Sequence, residues 1–150
     1  MEKIEIYLEV ISVHNPGPAG WGVVVWDGKT RKGMSGYEAE ITHHRTYLIA
    51  AISVLEELED TCEGRLHTDS KYLCDGITTW IANWEKRSWQ TYDNKPVKNA
   101  DLWKRLKAVS EKHQIEWVWN SSKTIRDNEE RKTAFSLAGE AIEKHLHQRQ

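Results

Sequence analysis

Hydrophobic and polar positions alternate singly at the start of the chain. Later they recur at spacings of three and four, and this change of period sets the architecture. Lys3 to Val13 (Lys-Ile-Glu-Ile-Tyr-Leu-Glu-Val-Ile-Ser-Val) is rich in β-branched residues and reads as a strand. His14 to Gly20 gathers Asn, Pro and Gly and reads as a loop. Trp21 to Trp26 is a second, largely buried strand, Asp27-Gly28-Lys29 a hairpin turn, and Lys32 to Glu38 a third strand. These three form an antiparallel meander. Thr42 is placed to cap a helix over His43 to Leu58, whose Leu48, Ala51, Ile52, Leu55 and Leu58 share one face. Gly64 to Thr68 returns as a fourth strand, parallel to the first through a right-handed crossover. Ser70 to Trp80 and Ile81 to Arg87 are helical, and Ser88 to Ala100 is a polar loop. A helix over Asp101 to Lys112, a strand over Ile115 to Trp119 and a helix over Asp127 to His145 complete the chain. The expected result is one α/β domain over residues 1–150. Its mixed sheet has three antiparallel strands followed by two parallel ones, with helices on both faces.

Composition narrows the class. A charged fraction of 29% and a hydrophobic fraction of 39% describe a soluble globular protein. No apolar run approaches the roughly 20 residues that span a bilayer, so no membrane association is expected. The acidic start Met-Glu-Lys-Ile-Glu does not resemble a secretion signal. Cys62 and Cys74 match no metal or redox spacing, which suggests reduced thiols and a cytoplasmic location. Net charge is −2, yet the stretch from Trp80 to Lys107 carries seven basic residues against three acidic ones, a local surplus of +4. Most of the eight tryptophans also fall between Trp80 and Trp119. Such a local surplus is the kind of footprint that attracts polyanions.

Candidate chemistry centres on Thr68-Asp69-Ser70. A carboxylate at the end of a buried strand suits metal-assisted catalysis, while the same residue types also favour helix caps. Neighbouring carboxylates decide between the two readings.

Asn15-Pro16-Gly17-Pro18, Ala50-Ala51-Ile52, Thr68-Asp69-Ser70, Lys95-Pro-Val-Lys-Asn-Ala-Asp-Leu-Trp103 and Trp117-Val-Trp119 together resemble type 1 ribonuclease H, especially its bacterial members. That family cuts the RNA strand of an RNA–DNA hybrid. The resemblance implies the ribonuclease H-like fold with a basic handle insertion. It also implies a two-metal mechanism on four acids. Matched residue by residue, Asp69 is the third acid and Glu9 stands at the first, a longer side chain than the family's aspartate. Tyr47 stands at the second and Thr133 at the fourth. Lys123 lies in the segment that replaces the family's histidine loop, and from there it is expected to reach Asp69 or Glu9. The same match assigns Asn15 and Thr42 to a phosphate pocket. It assigns Lys71, Trp80, Lys86, Arg87, Lys95 and Lys98 to nucleic-acid contact. Trp84 and Trp103 are read as packing residues, and Val10 and Ile11 as branched side chains obstructing the hybrid's approach.

Two carboxylates, Glu9 and Asp69, bring two negative charges against the four positive charges of two magnesium ions, so at most one weakly held ion is expected. The expectation from these matches is a monomeric pseudoenzyme that has lost hybrid cleavage, needs no cofactor, and binds hybrid or duplex nucleic acid through its handle. Two alternatives stand beside it. One is a protein-interaction mimic or antagonist of a ribonuclease H pathway. The other is a residual Mg- or Mn-dependent ribonuclease H, with ligands rebuilt from histidines such as His14, His43, His44 or His67.

Overall fold

The computed structural model describes residues 2–148. Its five-stranded sheet has the order β3-β2-β1-β4-β5, built from β1 (Glu2–Ser12), β2 (Gly17–Trp26), β3 (Arg31–Ile41), β4 (Cys62–Thr68) and β5 (Gln114–Trp119). β1 pairs antiparallel with β2 and parallel with β4, while β4 pairs parallel with β5. The expected ribonuclease H-like α/β architecture is therefore present.

Alternation along β1 sorts its two faces. Ile4, Ile6, Leu8 and Val10 enter the main hydrophobic cluster with Leu48, Ala51, Ile52 and Leu55 of α1 (His43–Glu57). Tyr7, Glu9 and Ile11 point to the opposite face, where α5 (Glu129–Gln148) crosses β1, β2 and β3. Buried Ala134, Ala138 and Ala141 let α5 sit close to the sheet. A Cβ added at Gly22 would lie 2.0 Å from the carbonyl oxygen of Ala134, so only glycine admits this approach. Val10 is a core residue and Ile11 packs toward Gly139 of α5. The expectation that both obstruct an approaching hybrid is corrected, because the pleat turns Val10 inward and α5 covers Ile11.

Element limits moved where punctuation misled. β2 begins at Gly17 and not at Trp21; Gly17, Pro18, Ala19 and Gly20 belong to the strand through a register shift. The two helices expected after Asp69 are one continuous run: α2 (Lys71–Asp75), a wide π-helical turn over Gly76–Trp80, and α3 (Ile81–Lys86). Trp103 of α4 (Ala100–Ser110) sets that turn, since its ring lies 2.0 Å from where a Gly76 Cβ would stand. The closing helix starts at Glu129, after a short 3₁₀ turn over Ser122–Asp127.

Candidate functional site

Asp69 follows the last residue of β4, where the chain leaves the sheet for α2. It does not cap that helix. Ser70 does, accepting the Leu73 N–H at 3.0 Å through its Oγ, while Thr68 Oγ1 accepts the Ser70 N–H. The Asp69 side chain is therefore free for chemistry, and the capping role read from the sequence passes to its neighbour. Its backbone is braced by Trp119, whose indole N–H donates to the Asp69 carbonyl at 3.0 Å.

Tyr47 arrives from α1 and donates its hydroxyl to Asp69 Oδ1 at 2.5 Å. Burial, and then the Asp69 charge, push the Tyr47 pKa well above its ordinary value of 10. The phenol therefore stays protonated and serves as a fixed donor.

Glu9 reaches the site from β1 and is 1% exposed. Its carboxyl pKa rises from the ordinary 4.5 to about 7, mainly through burial and secondly through the charge of Asp69. Arg131 of α5 opposes the shift. The Arg131 guanidinium is 3% exposed and donates from Nε to Glu9 Oε2 at 3.3 Å, from Nη1 to Thr124 Oγ1 at 2.8 Å and from Nη2 to the Ser121 carbonyl at 3.1 Å. Lys123 is corrected accordingly: it is exposed, and among the described residues its ammonium makes no ion pair. The cation that reaches Glu9 is Arg131. Its sequence signal was its place at the head of the buried stripe Ala134-Ala138-Ala141, where a cation needs a partner inside the fold.

Thr133 lies exposed on α5 and donates its hydroxyl proton to the Glu129 carbonyl. Among the described residues the histidines form no ligand set. His43 meets Ser12 Oγ at 2.6 Å, His44 stacks on Tyr72, and His67 stacks on Tyr7. Among the described residues no group of three or more His, Cys, Asp or Glu could hold a metal. Hard oxygen donors remain: Asp69 Oδ2 and Glu9 Oε1 take no hydrogen bond among those residues. Two such carboxylates are too few for a pair of divalent cations.

The expected nucleic-acid residues spread around this centre. Asn15 Oδ1 accepts the His43 N–H and Thr42 Oγ1 accepts the Arg45 N–H, so both already serve the start of α1. Lys71 places its ammonium 4.7 Å from the centroid of the Trp119 ring, an exposed indole beside Asp69. Trp80 and Trp103 pack against Tyr72, and Trp84 packs on Trp80, Trp89 and Trp103, as expected for Trp84 and Trp103. Lys86, Arg87, Lys95 and Lys98 are exposed on the handle. Arg87 covers Tyr92, and Lys95 lies 3.6 Å from Asp93. Part of the local basic surplus is internally balanced: Arg105 pairs with Glu56, and Lys107 with Glu85 and Glu111.

Residues 1–142 match the RNase H family, and this chain belongs to it. The curated Ribonuclease H of Alcanivorax borkumensis is 44% identical over 147 residues, covering 98% of this chain and 96% of that protein. The Ribonuclease H of Novosphingobium aromaticivorans is 49% identical over 119 residues, 79% of this chain and 83% of its own. Among solved structures, LC9-RNase H1, a type 1 RNase H with the type 2 active-site motif, shares the fold with a TM-score of 0.82 and 22% identity. That likeness covers 95% of this chain and 73% of that one. LC11-RNase H1, solved in complex with an RNA/DNA hybrid, gives a TM-score of 0.69 at 22% identity, covering 95% and 99%. These relatives overturn the expectation of a pseudoenzyme that only binds nucleic acid: relatives 43–49% identical over 79–98% of the chain carry the name Ribonuclease H. No helix of the described residues is long and apolar enough to cross a membrane.

Proposed function

We propose that this chain is a ribonuclease H that hydrolyses the RNA strand of RNA–DNA hybrids with the help of a divalent cation, magnesium or manganese. The observation that carries this reading is the 44% identity to a curated Ribonuclease H across 98% of the chain. The hybrid bound in the LC11-RNase H1 complex supports the substrate class.

In this proposal Glu9 and Asp69 hold the cation, and Tyr47 orients Asp69 by fixing Oδ1, which leaves Oδ2 without a hydrogen bond among the described residues. A bound divalent ion would supply Lewis-acid polarisation of the phosphate and a more acidic water. Tyr47 and Thr133 stand where the resemblance places the second and fourth acids, so the ligand set is smaller than four carboxylates. The handle residues Lys86, Arg87, Lys95 and Lys98, with Lys71 beside the site, supply cations for backbone phosphates, and Asn15 and Thr42 add polar contact at the start of α1.

A hybrid labelled on its RNA strand, incubated with the full chain and Mg²⁺ or Mn²⁺, tests the reading. Cleavage of that strand is expected, with duplex DNA left intact and at least a hundredfold loss in Asp69→Asn. No cleavage with either ion, or activity unchanged in Asp69→Asn, overturns it.

A further inference from the structure

Away from the handle, the negative charge of the chain gathers at one end of the sheet. Where β1 begins and β2 finishes, a cleft of about 760 Å³ opens between the β2–β3 hairpin and the C-terminal end of α1. Cys62, the first residue of β4, lies on its wall, and β4 runs from there to Thr68, next to Asp69. At about 3.3 Å per residue, that strand sets the cleft roughly 20 Å from Asp69.

The cleft is apolar along its floor and acidic at its rim. Val25, Met34 and Leu58 are half-buried along it, above the buried Ile4 and Val54. Glu2, Asp27, Glu57, Glu59 and Asp60 stand exposed around them against Lys32, so five negative charges less one positive leave −4. Among the described residues none of these five carboxylates makes an ion pair. The end of α1 adds to the field, because its last turn holds no basic residue to meet the partial negative charge of the terminal carbonyls.

Charge and shape together select the occupant. Nucleic acid, itself a polyanion, is repelled from this rim. A cation with no apolar part would leave the floor wet, and an uncharged apolar segment would leave the carboxylates unpaired. Lysine and arginine answer both demands, since their methylene stems lie on apolar surface while the charged heads reach outward. We infer that the cleft docks a basic, aliphatic segment of a partner protein, whose cationic side chains meet the rim carboxylates and whose aliphatic side chains cover Val25, Met34 and Leu58. The occupant sits at the far end of β4 from Asp69 and leaves that end of the sheet open. The rim and floor carry this assignment without recourse to Glu9 or Asp69, so it stands or falls apart from hybrid cleavage.

A fluorescent hexapeptide, Lys-Leu-Lys-Lys-Leu-Lys, titrated with the full chain and read by anisotropy, tests the assignment. A dissociation constant of about 10–100 μM is expected, as for a small docking surface. Binding should weaken about tenfold or more for the doubly substituted Glu57→Lys, Glu59→Lys chain, and equally for a peptide with serine in place of both leucines. Backbone amide NMR shifts should fall at Gly33, Met34 and Leu58. No binding at about 1 mM, or shifts confined to residues outside the cleft, would overturn the inference. Equal binding of the serine peptide would also overturn it, marking a site for small polycations. Self-association of the wild type in sedimentation, abolished by Glu57→Lys, Glu59→Lys, would overturn it in favour of a second copy of this chain. Circular dichroism checks the fold of the variant, and should it not fold, the two peptides and the amide shifts decide.

Discussion

Replacing Glu9 with glutamine should flatten the pH dependence of stability in the absence of divalent ions. The folded carboxyl has a pKa of about 7 against the ordinary 4.5, so the folded state binds its proton more tightly than the unfolded chain does. The sign follows from that. Near pH 4 the group is neutral or nearly so in both states and costs little; as pH rises from 4.5 through 7, the buried carboxylate must ionise and stability falls. The difference, 7 minus 4.5, converts at about 1.36 kcal/mol per pH unit to a full cost of about 3.4 kcal/mol at high pH. About 0.8 kcal/mol of it is already present at pH 5 and about 3.3 at pH 8, so roughly 2.5 kcal/mol develops between them. For a chain of this length that is about 5–10 °C in Tm. Glu9→Gln removes this contribution while keeping the side-chain length and an acceptor for Arg131. Its absolute stability also depends on the loss of the ion pair, so the comparison is between slopes and not between midpoints. Thermal unfolding with EDTA, read by circular dichroism from pH 5 to 8, should show wild type and variant converging or crossing. Parallel profiles across that range would refute the account of a desolvated Glu9.

Tyr47→Phe should leave the fold intact, lower stability by about 1–2 kcal/mol in urea unfolding, and tighten Mn²⁺ binding, because Asp69 regains Oδ1. Ser70→Ala should cost about 1 kcal/mol of stability, while Asp69→Asn should cost far less in the same urea experiment, since Ser70 carries the cap. Lys86→Ala and Lys98→Ala should each weaken hybrid binding and reduce the slope of log affinity against log salt by about 1, measured by fluorescence anisotropy at several salt concentrations.

The sheet was readable because its signals are redundant. Alternation in β1, the Asp27-Gly28 turn and the α1 stripe each point to the same order of pairing, and a right-handed crossover leaves one place for β4. Gly17 to Gly20 misled because Pro and Gly are read as breakers, whereas here they form the start of a strand. Gly20 and Gly22 serve the close approach of α5, a tertiary demand with no local signature. The site was half legible. Asp69 and Glu9 could be placed from the family resemblance, but the partner of Glu9 lies 122 residues away in sequence. The resemblance pointed to which acids meet; it did not identify which cation the fold drives between them. Lys123 was the natural candidate as the charge in the loop, yet its long side chain keeps its hydration, while Arg131 heads a stripe that has to be buried.

Tyr72 has a consequence for how this architecture could be re-engineered. Its hydroxyl accepts from Asn99 Nδ2 at 3.1 Å and Trp103 Nε1 at 3.2 Å, and its ring stacks on His44 of α1 at 4.0 Å. Asn99 holds the left-handed backbone that starts α4 and also receives Arg45 from α1. The handle is thus soldered to the helix that carries Tyr47, through the Tyr72 phenol and through Arg45, which also pairs with Asp101 at 2.7 Å. It is not an interchangeable cassette. Grafting a foreign handle onto this scaffold, or this handle onto another, would require Tyr72, Asn99, Trp103 and their α1 partners to travel as one unit.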